Sequence, residues 1–201
     1  MENAILKAPM TAEERVIHWN KQFPKWPNTI YDKGWIYGVW YCGTSFQKVE
    51  LYGQYPQTFL KRALALFPDI DESRILHAPS GILEGPGVTV DSIQRKPGCP
   101  QIIADVTDMP FKDNRFDLVL TDPPYSEADS KIYGCKKYPK NKAMKEFRRV
   151  LSPGGYLGWL DVRYPMFRRK DWDLIGLCCV VTGFMRVTRM FSIFQSKKED
   201  E

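Results

Sequence analysis

Long apolar runs are missing from this chain. No stretch approaches the ~20 residues that a membrane-spanning helix needs, so the sequence excludes that class. Cysteine is sparse and unpatterned. Cys42, Cys99, Cys135, Cys178 and Cys179 make no metal-ligand spacing, and the adjacent pair sits in an apolar run that reads as core. No metal site is expected. An odd cysteine count suits a reducing compartment. The opening "MENAILKAPMTAEERV" lacks the basic-then-apolar layout of a secretion signal, so a cytoplasmic protein is expected. Internal repeats are absent, and the tail "SKKEDE" is the one low-complexity tract.

What is present is enough for a folded domain. The 201 residues are 43% hydrophobic and 26% charged, which supports one compact, soluble unit. The expected layout is an N-terminal helix with an aromatic-rich cover over 1–54, a core over 55–195 and a charged tail over 196–201. Net charge is +5, but residues 131–170 hold 12 Lys/Arg against 2 Asp/Glu, a balance of +10. A charge run is usually a solvated face. Here it begins just after an unusual corner, which favours a polyanionic partner.

Thr11 and Glu14 form a capping box, followed by Val16, Trp19 and Phe23 at helical spacing before Pro24. Residues 24–55 are rich in Trp, Tyr and Gly and read as irregular or short-stranded. Phe59, Ala63 and Phe67 mark a second helix between Pro56 and Pro68. From residue 74 the rhythm changes. "RILHA", "GVTVD", "QIIAD", "FDLVLTD" and "GYLGWLD" are short apolar runs, several ending in an acid. They read as buried parallel strands. A helical stripe of Ala143, Phe147, Val150 and Leu151 precedes the last of them, and "LIGLCCVV" with "FMRVTRMFSIF" reads as a closing hairpin. The class expected is α/β, with helices on the faces of a mostly parallel sheet and a C-terminal antiparallel hairpin. In such sheets ligands sit beyond the carboxyl ends of the strands. His77, Asp91, Asp105 and Asp122 all fall at such ends.

The corner is "DLVLTDPPY", residues 117–125. Asp-Pro-Pro alone is an ordinary strand stop, and Tyr125 alone an ordinary surface aromatic. Together with "IIADVTDMPFKDNRFDLVL" before it and "EFRRVLSPGGYL" after it, the segment resembles the Rossmann-like class I S-adenosylmethionine-dependent methyltransferases, in particular the Asp-Pro-Pro-Tyr branch that methylates exocyclic nitrogens such as adenine N6 in DNA. The resemblance spans roughly residues 55–195. It implies S-adenosylmethionine as cofactor and Asp122, Pro123, Pro124 and Tyr125 as the catalytic corner. Asp122 and the Pro123 carbonyl would accept the two amine N–H groups. Tyr125 would stack on a base taken out of its duplex. The resemblance also implies that Asp91 holds the ribose hydroxyls and Asp105, with Val106, the cofactor's adenine. Tyr55 would contact the cofactor from the preceding helix, and the loop His77, Pro79, Ser80, Gly81 would lie at its amino-acid end. That loop departs from the family pattern. His77 replaces an expected acid, so it reads either as a satisfied strand-end histidine or as a cofactor contact. Phosphate contacts are expected among Lys136, Lys137, Lys140, Arg168 and Arg169.

A second departure concerns topology. Only residues 79–86 separate "RILHA" from "GVTVD", and a parallel crossover normally takes a dozen or more. The first crossover helix should be missing. The sheet flank it leaves would be covered by segment 24–55 or by a second subunit in a homodimer. Functional readings kept beside DNA adenine methylation are an RNA base N-methyltransferase, such as one for guanine N2, and a catalytically silent methyltransferase-fold subunit.

Overall fold

The computed structural model describes residues 9–25, 29–43, 55–132, 134, 138–183 and 186–197. Helix α1 (Ala12–Gln22) starts on the predicted box: the Thr11 amide donates to Glu14 Oε2 at 2.7 Å, and the Glu14 amide donates to Thr11 Oγ1 at 3.3 Å. Its Val16 and Trp19 are buried, and Trp19 stacks on Trp40 with centroids 5.5 Å apart. Strands β1 (Ile30–Asp32) and β2 (Trp35–Tyr41) form a hairpin. Its turn, Lys33-Gly34, has positive φ at both residues (48° and 87°), the backbone that matches strand twist in a two-residue loop. Helix α2 (Phe59–Leu64) follows.

The core strands are β3 (Ile75–His77), β4 (Val88–Asp91), β5 (Ile102–Ile103), β6 (Phe116–Thr121), β7 (Leu151–Asp161), β8 (Trp172–Val181) and β9 (Arg189–Ser196). Helices α3 (Glu127–Ile132) and α4 (Lys140–Val150) lie between β6 and β7. One nine-stranded sheet results, in the order β1-β2-β8-β9-β7-β6-β3-β4-β5. Its members β3 to β7 run parallel. Strand β9 is antiparallel to both β7 and β8, as the closing hairpin requires. The order β5-β4-β3-β6-β7 is that of a doubly wound Rossmann-like sheet, and it reverses between β3 and β6. That reversal is the topological switch point, where a crevice opens beyond the carboxyl ends.

No helix occupies 78–87, as the short spacing predicts. The reduction goes further than that. Residues 92–101, 104–115 and 162–171 contain no α-helix either, so α3 and α4 are the crossover helices among the described residues. Helices α1 and α2 cover one face through Trp19, Phe59 and Ala63, joined by Leu66 just after α2. The other face is covered by α4, whose Ala143, Met144, Phe147 and Val150 pack on Trp159 and Leu157. Leu151, predicted as part of the helical stripe, is instead the first residue of β7.

The expected cover over 24–55 is corrected here. Its described part extends the sheet at the β8 edge, with β2 parallel to β8, instead of roofing the flank. Alternation decides this: Ile36 and Trp40 point into the core, while Trp35, Tyr37 and Tyr41 point outward and stay exposed. Trp26, Phe46, Leu51 and Tyr52 lie outside the described residues. At the opposite edge Ile103 on β5 remains 58% exposed, so that end of the sheet is left open.

Candidate active site

A cavity of about 890 Å³ opens at the switch point. It is lined by Tyr55, Pro79, Ser80, Gly81, Asp91, Asp105, Val106 and Asp122–Tyr125, so three of the four strand-end residues converge as predicted. The fourth, His77, does not line it.

The loop after β3 is drawn onto β4. Its Ser80 amide donates to the Val90 carbonyl at 2.9 Å, and its Gly81 amide to Asp91 Oδ2 at 2.9 Å. Gly81 has φ +58°, a conformation that side-chain-bearing residues seldom adopt. Asp91 Oδ1 also takes the Ile93 amide at 3.2 Å. A carboxylate offers about four acceptor positions, so Asp91 can clamp the loop and still face the cavity. Asp105 anchors its own turn through the Thr107 amide and hydroxyl, both at 2.8 Å. Ser80 Oγ is buried on this wall with no hydrogen-bond partner among the described residues. A buried orphan hydroxyl is costly unless something in the cavity meets it.

His77 is fully buried behind this wall, where the cofactor contact considered for it is not available. Its Nε2 lies 2.9 Å from the Pro86 carbonyl, which can only accept, so Nε2 carries the proton. Its Nδ1, 3.2 Å from the Tyr55 hydroxyl, then accepts from Tyr55. Burial pulls its pKa down to about 4, against the Pro86 bond, so the ring is neutral near pH 7. Of its two readings, the satisfied strand-end histidine holds, with the added task of orienting Tyr55. Burial likewise pushes the Tyr55 phenol well above its ordinary value, which keeps it a donor. Tyr55 reaches the cavity from the segment before α2, not from a helix.

The corner leaves β6 and enters α3 through a second capping box. The Asp129 amide donates to Ser126 Oγ at 3.0 Å, and Asp129 Oδ2 accepts from the Ser126 amide at 3.0 Å. This fixes the exit of the rigid Pro123-Pro124 step. Within the corner the Tyr125 hydroxyl donates a short bond to Asp122 Oδ1. Arg189, at the start of β9, completes the group. Its guanidinium lies 5.2 Å from the Tyr125 ring centroid, and its Nη1 is 3.9 Å from Asp122 Oδ2. Burial raises the Asp122 pKa to about 6, with Arg189 and Tyr125 opposing. The acid is therefore mostly ionised near pH 7, and the cation and the phenol favour that form.

The predicted basic residues separate. Lys140 Nζ is bound to Asp161 Oδ2 at 2.5 Å, and Asp161 is fully buried, also taking the Trp159 indole at 3.2 Å and the Val162 amide at 2.7 Å. Neutralising a buried carboxylate is a structural commitment, so Lys140 is corrected from phosphate ligand to internal partner. Arg168 pairs with Asp171 at 2.5 Å, and the Lys197 amide donates to the Asp171 carbonyl. Both Arg168 and Arg169 thus precede the amino end of β8, roughly 30 Å from the cavity at ~3.3 Å per strand residue. They share the basic block that follows the corner in sequence but do not share its end of the sheet. Lys136 and Lys137 lie outside the described residues. Sequence reading missed Arg189, Arg186, Thr182, Lys142, Tyr138 and Arg95, which also line the cavity. Arg189 opens β9, Arg186 and Thr182 come from the β8–β9 connection, and no local signal marks them.

Residues 88–158 match the family model described as a methyltransferase domain, a domain type that takes S-adenosylmethionine as methyl donor. Over 78 residues the chain is 32% identical to a protein named probable phthiotriol/phenolphthiotriol dimycocerosates methyltransferase 2 of Mycobacterium ulcerans (strain Agy99), covering 38% of this chain and 26% of that one. Over 76 residues it is 34% identical to sterol 4-C-methyltransferase strm-1 of Caenorhabditis elegans, covering 37% of this chain and 19% of that one. The match therefore spans about a quarter or less of these relatives' length. Among solved structures, TrmN from Thermus thermophilus aligns with a TM-score of 0.49 at 17% identity, over 68% of this chain and 47% of that chain. The antibiotic-resistance methyltransferase Kmr aligns with a TM-score of 0.36 at 16% identity, over 73% and 98%. No helix among the described residues is long and apolar enough to cross a membrane.

Proposed function

We propose that the protein is an S-adenosylmethionine-dependent methyltransferase acting on an exocyclic amine of a nucleic-acid base, adenine N6 in DNA first among the targets. The observation that carries this reading is the corner itself. A carboxylate with a pKa near 6 and a donor-free Pro-Pro step stand at the switch-point mouth, sharing one cavity with Asp91 and Asp105.

The residues fit the cofactor. Asp91 and Asp105 would hold its ribose and adenine, and Ser80 Oγ, orphaned in the cavity wall, would meet its polar amino-acid end. When bound, the cofactor supplies an electrophilic methyl group. An exocyclic amine is a poor nucleophile because its lone pair is delocalised into the ring. Asp122 accepts one of its N–H bonds and the Pro123 carbonyl the other. Proline fixes φ, so that carbonyl stays aimed. Entry of a flat base displaces the Tyr125 hydroxyl from Asp122, and the phenol ring then stacks on the base while Arg189 keeps Asp122 anionic. Positioning and electrostatics supply most of the acceleration.

The same corner chemistry serves an RNA base, and the pared-down loop with Gly81 as its one glycine is what favours a silent subunit. The exposed row Trp35, Tyr37 and Tyr41 on β2, next to the edge strand β1, favours a homodimer, and light scattering at the monomer mass would remove it. Incubation with methyl-labelled cofactor and separate pools of DNA, RNA and protein tests the main reading. Label in DNA as N6-methyladenine is expected. Label in RNA alone moves the assignment to the second reading, and cofactor binding without label in any pool refutes an active enzyme.

A further inference from the structure

Twelve cations between 131 and 170 make the chain look basic just after the corner, yet the fold withdraws most of the described ones from the site. Lys140 neutralises Asp161, Arg149 is bound to Glu146 and Asp113, Arg148 donates to the Lys197 carbonyl, and Arg168 to Asp171. The cations that line the cavity are Arg95, Lys142, Arg186 and Arg189. Arg189 is engaged by Asp122 and Tyr125, and Arg95 follows β4, across the switch point from the corner at the end of β6. That leaves two at the acceptor mouth. Lys142 sits in the first turn of α4, and Arg186 in the turn between β8 and β9, beside the 69%-exposed Val187. Both are exposed, and neither forms an ion pair with any described residue. Of the acids here, Asp122 is engaged by Arg189, Asp129 is held as the cap of α3, and Glu127 lines the adjoining groove.

We infer that Lys142 and Arg186 are a phosphodiester-binding subsite that grips the nucleic-acid backbone on either side of the methylated base. The inference rests on the nucleic-acid reading above and deepens it. The shape agrees with the charge. A second cavity of about 640 Å³ continues past the corner and shares Pro124, Tyr125, Tyr138, Pro139 and Lys142 with the first. Lys142 thus stands where the acceptor pocket opens into a groove along which a strand can leave. Two cations from separate elements, lining one cavity with Tyr125 and Tyr138, are the combination that holds an unstacked nucleotide: charges for its phosphates and rings for its base. Neither cation reads a base edge, so they set affinity and register without setting sequence.

The test is salt-dependent binding of the full chain with cofactor present, using a labelled DNA duplex in one arm and a labelled single-stranded RNA of equal length in the other. Each lost phosphate contact should reduce the log–log slope by about 0.9 on duplex DNA or about 0.7 on a single strand. The double variant Lys142→Ala/Arg186→Ala should therefore lose about 1.8 units on the duplex or about 1.4 on the single strand. Arg169→Ala should leave the slope unchanged, and Lys142→Arg/Arg186→Lys should restore it. Cofactor affinity and melting temperature, measured on each variant, report that the fold persists. A native slope that survives in the double variant overturns the subsite while the nucleic-acid reading stands. Salt-independent or absent binding of both DNA and RNA by the native chain overturns both.

Discussion

Replacing Arg189 with alanine should move the pH dependence of methyl transfer without removing any group proposed to touch the amine. Asp122 titrates near 6, raised by burial and held down by Arg189. The guanidinium nitrogen is 3.9 Å from the carboxylate. At an effective dielectric of about 20 that distance is worth ~4 kcal/mol, an upper limit for a partly solvated pair. Arginine neighbours typically move a carboxylate by about 1–3 units. The variant should therefore raise Asp122 from about 6 to roughly 7–9. The sign follows from the role. The ionised form accepts the amine N–H, so transfer is lost as pH falls through this pKa. In the native protein the acid limb lies near 6, and in the variant it lies above 7. At pH 7 the ionised fraction drops roughly 2- to 100-fold, and the rate should recover in alkaline buffer. Arg189→Lys should keep the limb close to native. The assay is the initial rate of labelled transfer across about pH 5–10, with cofactor affinity by calorimetry at the same points. A limb unmoved near 6, with a uniform loss that alkali does not recover, would refute the electrostatic role of Arg189.

Asp122→Asn should abolish transfer and yet stabilise the fold. A raised carboxyl pKa means stability is lost as pH rises from the unfolded value near 4 to about 6, so an uncharged Asn should gain about 2–3 kcal/mol at pH 7 in urea titrations. His77 works the other way: with its pKa depressed to about 4, native stability should fall as pH drops from ~6.5 towards 4. His77→Phe, which strands the Pro86 carbonyl and the Tyr55 hydroxyl, should cost about 1–3 kcal/mol and flatten that acid dependence in thermal melts. Asp91→Ala should weaken cofactor binding by about 1–3 kcal/mol, since it removes an anchor and frees the Gly81 amide. Equal affinity in calorimetry would take Asp91 out of the site. Gly158→Ala places a methyl 2.6 Å from Leu120 Cδ2 and Phe191 Cε2, and unfolding should show a loss of about 1–3 kcal/mol.

Local chemistry made much of this protein legible before folding. The Thr11/Glu14 box, the apolar strands with acids at their ends and the eight-residue gap that forbids a crossover helix all depend on neighbours in the chain. So does the Asp-Pro-Pro-Tyr corner, whose rigidity is a property of proline. The strand-end acids could be placed together because parallel strands aim their carboxyl ends at one rim. What the tertiary structure alone decided is which charges remain at that rim. Strand order puts β9 beside β7, and that brings Arg189 to Asp122 from a segment with no motif of its own. A buried carboxylate at the end of β7 commits Lys140, which sequence reading had placed on phosphate. Arg168 and Arg169 belong to the basic block that follows the corner in the chain, yet the connection 162–171 returns them to the amino end of β8, at the far end of the sheet. Residue type reveals the sign of a charge. Its partner and its end of the sheet are set by pairings between distant segments, and composition and spacing contain no term for those.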